Sequence, residues 1–456
     1  MSRFFHLSWM AFFLIPSLIA QEPEQQGYTL SQCVAYALEH SEQIQNAELD
    51  NRIAQANVGE IRAIGLPQVN ANLALQDNFK VPKVFLPGEV IGGEPGTFVP
   101  VEFQPQYAGQ ANITLTQLLF DGSYFLGLKA ASVYTELSRK AIVQTKIELA
   151  ESIAKAFYGV LVNQERLQLI GQNEARLVQL HQETKALYEN GFAEKIDVDR
   201  VQVTLNNLRT QKANFQRVLD LSMGLLKFQM GLNLTENIQV VGNLRELTLE
   251  APPLLDPGEA FLQRIEYGIL QTQKELDLLN LKNYRVQYFP NLGLSLSYGS
   301  NTGTNAFGDL WKFNDQWFGN GSIGLQLNIP IFDGLRKKYQ IQGARFALQK
   351  TENNLRQLER TTALQVSQSY LSLQNAIQTL EAQRQNMELA QEIYRVANIK
   401  YQEGVGANLE VLDAETAYKE AETNYYAALY DALIAKTDLQ KAQGTLLNDL
   451  TQTTKP

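Results

Sequence analysis

Four short segments of the chain alternate between apolar and polar residues. In the first, Val69 and Leu73 lie on one side while Asn70 and Asn72 lie on the other. A period of two residues predicts β-strands, because successive side chains of a strand point to opposite faces. The predicted strands cover residues of about 67–78, 107–119, 290–299 and 317–330.

The polar faces of these strands carry amides and hydroxyls rather than charges, as at Gln110, Asn112 and Thr114. A soluble sandwich also alternates, but its solvent face normally carries Lys and Glu. About ten nearly charge-free residues are the length of a transmembrane β-strand. Four strands cannot close around a polar lumen, so several copies are needed. Two copies would supply about eight strands and three about twelve, which leaves room for a channel and favours a trimer.

Two long segments, about 122–189 and 334–402, contain no proline and keep a helical pattern of apolar residues. At 1.5 Å per residue each predicts a rod of about 100 Å. Shorter helices are predicted to follow at about 193–230 and 409–447 and to lie beside the rods. An ordinary coiled-coil bundle would explain the helices equally well, but it would not explain the strands.

Two pairs of segments recur at nearly constant spacing. "LLFDG" (118–122) returns as "PIFDG" (330–334), and "LYENGFAEKIDV" (187–198) is similar to "KYQEGVGANLEV" (400–411). Recurrence in the same order predicts an internal duplication. The predicted units are a first repeat, 28–250, with a tip turn at about 190–195; a second repeat, 251–447, with a tip turn at about 403–408; and a C-terminal tail, 448–456.

The two Phe-Asp-Gly segments are predicted to join strand to helix. Each aspartate is placed to cap the long helix that follows, and each glycine allows the chain to turn. Each phenylalanine lies out of step with the alternating lipid-facing positions of its strand, which predicts packing inward or beneath the sheet. The predicted joints comprise Phe120, Asp121, Gly122, Phe332, Asp333 and Gly334.

Composition excludes several classes of protein. The net charge of -9 argues against nucleic-acid binding, which needs a cationic surface. Residues 1–20 read as a secretory signal peptide. Cys33 is the only cysteine, so the sequence predicts no internal disulfide, no cysteine-based metal site and no cofactor. The sequence contains no GxSxG element, phosphate loop or metal-ligand set, which disfavours an enzyme.

The two-repeat plan, the Phe-Asp-Gly joints and above all "YQEGVGANLEVLDAE" (401–415) resemble the TolC-like outer membrane factor family, over about residues 28–444. The resemblance implies an α+β membrane protein: a trimeric, 12-stranded outer-membrane β-barrel, four strands per chain, continued by a long periplasmic α-helical barrel. It also implies a passive exit duct of a tripartite efflux pump or type I secretion system.

The implied setting is the outer membrane of a Gram-negative bacterium, with the tunnel in the periplasm. The implied partners are two further copies in a homotrimer, a periplasmic adaptor (membrane fusion) protein, an inner-membrane transporter of the RND, ABC or MFS type, and outer-membrane lipid. The alternatives are a periplasmic coiled-coil adaptor without a membrane barrel, and a surface enzyme on a coiled-coil stalk.

By resemblance, Glu410 and Asp413 ring the constriction at the closed tip of the tunnel. Their i, i+3 spacing places both on one helix face, so three copies would bring six carboxylates into one throat and favour cations. A plainer interpretation is that Asn408 caps the helix and the acids complement its dipole. Both interpretations can hold for Glu410.

The resemblance also implies that Asp197 and Tyr401 hold neighbouring tip helices together by hydrogen bonds. Gly406 stands where the family has an arginine in this network, so we expect a weaker latch or one that uses Lys195. Gly191, Gly404 and Gly406 permit tight reversals between helices. The resemblance implies that the adaptor docks at these turns.

Overall fold

The computed structural model describes residues 27–244, 253 and 255–452. The predicted signal peptide (1–20) and the predicted boundary between repeats at 250 and 251 lie outside the described residues. The elements, in chain order, are β1 (Gly27–Tyr28), α1 (Leu30–His40), α2 (Glu42–Ile64), β2 (Gln68–Asp77), β3 (Lys83–Pro87), β4 (Phe98–Glu102), β5 (Tyr107–Phe120), α3 (Gly122–Glu189), α4 (Lys195–Met230), β6 (Gln239–Val240), α5 (Pro257–Gln263), α6 (Ile265–Val286), β7 (Asn291–Thr304), β8 (Phe318–Asn328), α7 (Arg336–Gln402), α8 (Asn408–Gln443) and α9 (Leu446–Gln452).

The strands β2, β5, β7 and β8 form one antiparallel sheet in that order. Within the described part of the chain, β2 and β8 pair on one side only. Every residue of these two edge strands is exposed, including apolar ones such as Ile323 at 73%. β7 continues to Thr304, beyond the predicted end at about 299, and its last residues pair with the start of β5.

The loop between β2 and β5 contains a second, smaller sheet. β3 and β4 pair as an antiparallel hairpin, with Lys83 opposite Glu102 and their charged ends 3.5 Å apart. The sequence pattern did not reveal this hairpin, because prolines and glycines interrupt its alternation. It lies at the end of the main sheet opposite to the long helices.

The long helices α3 and α7 contain 68 and 67 residues, so each is a rod of about 100 Å. α4 packs along α3 and α8 along α7, while α6 packs against both rods. The largest buried cluster forms where α1, α3, α4 and α8 meet, around Val34, Ile153, Leu226 and Leu433. α9 runs across the predicted start of the tail at 448. No helix within the described residues is long and apolar enough to cross a membrane.

The first strand-to-helix joint forms as a capped helix start. Oδ1 of Asp121 accepts hydrogen bonds from the backbone N–H groups of Ser123 (2.6 Å) and Tyr124 (3.3 Å), which otherwise lack helical partners. Gly122 is the first helical residue, and a Cβ there would lie 2.1 Å from Cγ1 of Val286 in α6. A glycine is therefore needed for the close approach of α6.

The second joint is built differently. Gly334 and Leu335 both take left-handed conformations, with φ of 67° and 71°, and the helix begins at Arg336. The prediction that Asp333 is the N-cap is wrong, because Leu335 occupies that position and the chain turns before the helix starts. Oδ2 of Asp333 instead accepts from the backbone N–H of Lys337 at 3.0 Å.

The two phenylalanines of the joints are accessible in the single chain. Phe120 ends β5, half-exposed and with its ring 6.5 Å from that of Phe125. Phe332, which follows β8, is 81% exposed. Their inward packing beneath a closed barrel stays a prediction about the assembled protein.

The cap at Asp121 yields a stability prediction. We expect Asp121→Ala to lower the free energy of unfolding by about 0.5–2 kcal/mol, since two backbone donors of α3 lose their acceptor. Asp50→Ala, an exposed site in the middle of α2, is the matched control and should change it by less than about 0.5 kcal/mol. Denaturant unfolding of the purified protein measures both, and equal effects would contradict the capping role.

Candidate functional site at the helix turns

Both helix-to-helix turns lie at the same end of the molecule. The hydroxyl of Tyr401, at the end of α7, is 3.1 Å from Oγ1 of Thr184, near the end of α3. The amide nitrogen of Asn408, at the start of α8, donates to the same Thr184 oxygen at 3.3 Å. These bonds tie the α7–α8 turn to the end of α3.

The turn glycines take conformations suited to tight reversal. Gly191 and Gly404 have φ of 82° and 75°, in the left-handed region that favours glycine. Gly406 has an ordinary φ, but a Cβ there would lie 2.9 Å from both the Lys400 Cβ and the Tyr401 nitrogen. At Gly406 the absent side chain therefore relieves crowding rather than permitting an unusual φ.

Each left-handed turn glycine is followed by an apolar side chain in water. Phe192 follows Gly191 at 81% exposure, and the residue after Gly404, Val405, is 80% exposed. The two positions correspond in the two predicted repeats, 213 residues apart. A single apolar residue in a turn carries no periodic signal, so neither position was predicted as a functional residue.

Glu410 and Asp413 lie in the first two turns of α8, and both are exposed. The residues between them, Val411 and Leu412, are buried and pack toward α3 and α4. Both carboxylates therefore point away from the packed side of the helix, on one face, as the i, i+3 spacing predicts. In the described chain they form a solvent-facing acidic pair.

The N-cap interpretation of Asn408 is wrong. Ala407 occupies the N-cap position, and Asn408 is the first helical residue, with its side chain buried. Its amide donates to Thr184 and, at 3.4 Å, to the Tyr401 hydroxyl. Asn408 therefore links three helices instead of capping one.

The structure gives Asp197 and Tyr401 different partners. Asp197 accepts from the backbone nitrogen of Glu194 at 3.3 Å and lies 3.6 Å from the guanidinium of Arg200, all within the start of α4. Tyr401 binds Thr184 and Asn408 instead. Lys195 is the first residue of α4 and is exposed.

A cluster of buried polar residues lies deeper along α8 from the turn. Glu415 is 2% exposed, and neither of its carboxylate oxygens has a hydrogen-bond partner among the described residues. About two turns further along α8, Oε2 of Glu422 accepts from the amide of Asn173 on α3 at 3.1 Å. We call this the buried acid cluster; its members are Asn173, Arg176, Tyr394, Glu415, Tyr418 and Glu422.

The cation of this cluster, Arg176, is held by α3, α7 and α8 together. Its guanidinium donates to Oδ1 of Asn173 and lies 5.6 Å from the ring centres of both Tyr394 and Tyr418. These two rings stack nearly parallel. Contacts of a cation with aromatic faces contribute about 0.5–2 kcal/mol.

Electrostatics in the cluster favour the neutral form of Glu415. Burial is the largest influence on Glu415 and raises its pKa, and nearby Glu422 adds to the effect; Arg176, Lys419 and the Tyr394 hydroxyl oppose them without reversing the result. Burial also raises the pKa of Tyr394 to about 12. Sequence analysis missed this cluster, although two glutamates and a tyrosine at positions 415, 418 and 422 share one helix face.

A family model described as "Outer membrane efflux protein" matches residues 34–231 and 280–445. Two curated relatives are similar to most of the chain. The probable efflux pump outer membrane protein TtgC of Pseudomonas putida is 24% identical over 343 residues, covering 74% of this chain and 69% of TtgC. The outer membrane protein TolC of Escherichia coli is 25% identical over 354 residues, covering 74% of this chain and 70% of TolC.

The fold is also that of a solved outer membrane protein. The outer membrane protein VceC of Vibrio cholerae superposes with a TM-score of 0.68 at 15% identity, covering 91% of this chain and 96% of VceC. The predicted TolC-like resemblance is confirmed, together with the outer-membrane location and the helical periplasmic tunnel. The chain therefore belongs to the outer membrane efflux protein family, and it is an exit duct of the Gram-negative outer membrane for an efflux or type I secretion system.

Proposed function

We propose that three copies of this chain form a closed twelve-stranded barrel, continued by a helical tunnel that acts as a passive conduit. The observation that carries the proposal is the four-stranded sheet, whose outer strands β2 and β8 each pair on one side only within the described residues. In lipid, unpaired backbone groups cost several kcal/mol each, so only a closed barrel removes them. Joining β8 of one copy to β2 of the next would close the ring.

The number three follows from the width of the barrel. Two copies would give eight strands, whose interior side chains nearly fill, whereas three would give twelve and a water-filled lumen. The predicted tandem repeat agrees with this arrangement, because it would give each copy two similar half-units around the axis. Each copy then contributes one third of the wall.

The helices carry apolar side chains that a neighbouring copy would cover. On α7 these side chains recur along one side toward the helix turn. On α4 they recur along the half of the helix that is farther from the turn. These exposed residues are Val218, Leu221, Leu225 and Phe228 on α4, and Leu364, Leu371, Leu389, Ile393 and Val396 on α7. Seams of this kind between wet inner and outer faces suit the wall of a tube.

The tip would narrow where the first turns of α8 converge. Six carboxylates, from Glu410 and Asp413 of three copies, would then attract cations into the throat. Within each copy, Tyr401, Thr184 and Asn408 would hold α8 against α3. Asp197 and Lys195, at the start of α4, would contribute to the gate through contacts with the neighbouring copy.

The turns would be the contact points for a periplasmic adaptor. Exposed Phe192 and Val405, beside Gly191 and Gly404, offer apolar anchors at both turns, and Gly406 lets the backbone approach closely. An adaptor would join this duct to an inner-membrane transporter of the RND, ABC or MFS type, which would select the cargo. We propose no catalytic role, in keeping with a family of transport proteins.

The barrel proposal predicts a strong contrast between the two faces of β8. Ile323→Arg should reduce the amount of assembled protein in the outer-membrane fraction, because an arginine facing the lipid midplane costs about 2–4 kcal/mol. Gln326→Arg is the matched control on the opposite, lumen-facing side and should assemble normally. Equal recovery of both variants would contradict the assigned faces.

The throat proposal predicts a loss of cation selectivity. In planar bilayers, the double variant Glu410→Gln with Asp413→Asn should lower the cation-to-anion permeability ratio by about fivefold. That figure corresponds to about 1 kcal/mol for one unit charge near a passing ion in water. Glu420→Gln, an exposed acid further along the same helix, should leave the ratio unchanged. An unaltered ratio in the double variant would remove these acids from the throat.

A further inference from the structure

The buried acid cluster has more negative than positive groups when fully ionised. Glu415 and Glu422 are both buried, and Arg176 is the one cation among the cluster's members, where it favours the ionised form of Glu415. No ion pair shorter than 4.0 Å joins Glu415 to a cation within the described residues. Glu422 accepts from Asn173, whereas neither oxygen of Glu415 has a hydrogen bond of ordinary geometry among the described residues, although the Tyr394 hydroxyl interacts with it. Glu415 is therefore the member of the cluster whose ionised form is least stabilised by its surroundings.

Groups from three helices act on Glu415. α3 contributes Arg176, α7 contributes Tyr394, and α8 itself contributes Glu422 and Lys419. The cationic groups favour the carboxylate, while burial and the second acid favour the neutral carboxyl. An ionised carboxylate without hydrogen bonds in a packed site is costly, so it must gain either a proton or water.

Glu415 is 2% exposed, so it is shielded from bulk water while α8 packs against α3 and α7. The same segment of α8 carries Asp413 two residues away and Glu410 within the preceding turn and a half. Val411 and Leu412, which lie between Glu410 and Asp413, pack into the apolar contact with α3 and α4. Hydration of Glu415 would therefore require the same movement of the start of α8 that displaces Glu410 and Asp413.

We propose that Glu415 is a proton-binding position that sets the state of the tip: its neutral form holds α8 against α3 and α7, and its ionised form favours a hydrated, wider throat. This inference rests on the proposed function, because it assigns a conformational role to the start of α8. Glu415 is a positioning residue in this scheme. It acts on the passing ions only through the placement of Glu410 and Asp413.

The direction of the pH dependence follows from the raised pKa of Glu415 in the packed state. The stabilisation of the packed state by neutral Glu415 is fully present below the ordinary carboxyl pKa of 4.5. It is lost as the pH rises through the raised pKa of Glu415. Between those two values, one proton per chain is released on opening. The closed-to-open ratio of each chain then falls by up to about tenfold per pH unit.

The test compares wild-type protein, Glu415→Gln and Glu420→Gln in planar bilayers between about pH 5 and about pH 9. Wild-type conductance should rise with pH. Glu415→Gln keeps the shape of a neutral carboxyl, so it should stay at the low, acid-type conductance throughout. Glu420→Gln should respond as wild type does. A full pH response in Glu415→Gln would overturn the proposal.

A second measurement separates failure of this proposal from failure of the proposed function. If no form of the protein conducts, the channel proposal fails, but thermal unfolding still reports on Glu415. The unfolding midpoint of Glu415→Gln should exceed that of wild type by an amount that grows with pH. A difference that stays constant with pH would show a purely structural role and would overturn the proton-binding assignment.

Discussion

Within the described residues the four-stranded sheet leaves the outer edges of β2 and β8 unpaired, and the rest of the molecule depends on this constraint. A backbone donor or acceptor left open in hydrocarbon has no water to bind, so a sheet that enters the membrane must close. One copy cannot close it, so in the proposed assembly other copies would complete the barrel and cover the apolar seams along the helices below. The length of those helices would carry the wall of the proposed tunnel about 100 Å from the sheet.

Sequence periodicity predicted the strands and rods well because both are long and regular. The alternation over residues 68–77 and the proline-free run from 122 to 189 depend only on local chemistry. Where contacts across the fold decide the structure, local reasoning failed. Asp121 caps its helix, whereas Asp333, in the same motif, does not, because two left-handed residues intervene.

The residues of the candidate site show the same division between local patterns and contacts across the fold. The spacing of Glu410 and Asp413 places them on one face from sequence alone, and both are exposed. The burial of Asn408 and Glu415 depends on where α3 passes, 224 and about 240 residues earlier in the chain. No helical pattern distinguishes a glutamate facing water from one facing Arg176. Because the contacts between α8 and its neighbours include such polar groups, they can hold α8 in place and still separate in the proposed opening.

The two strand-to-helix joints differ in a way that affects the symmetry of any assembly. At one, an aspartate caps the helix directly; at the other, the chain makes a left-handed double step, and Lys337 lies over the ring of Tyr288. A ring of three copies, as proposed, would therefore have six joints of two alternating kinds, so at this level its symmetry would be threefold and only approximately sixfold. A partner with six identical arms that contacts the joints would meet two distinct surfaces, and it would bind them with unequal affinity.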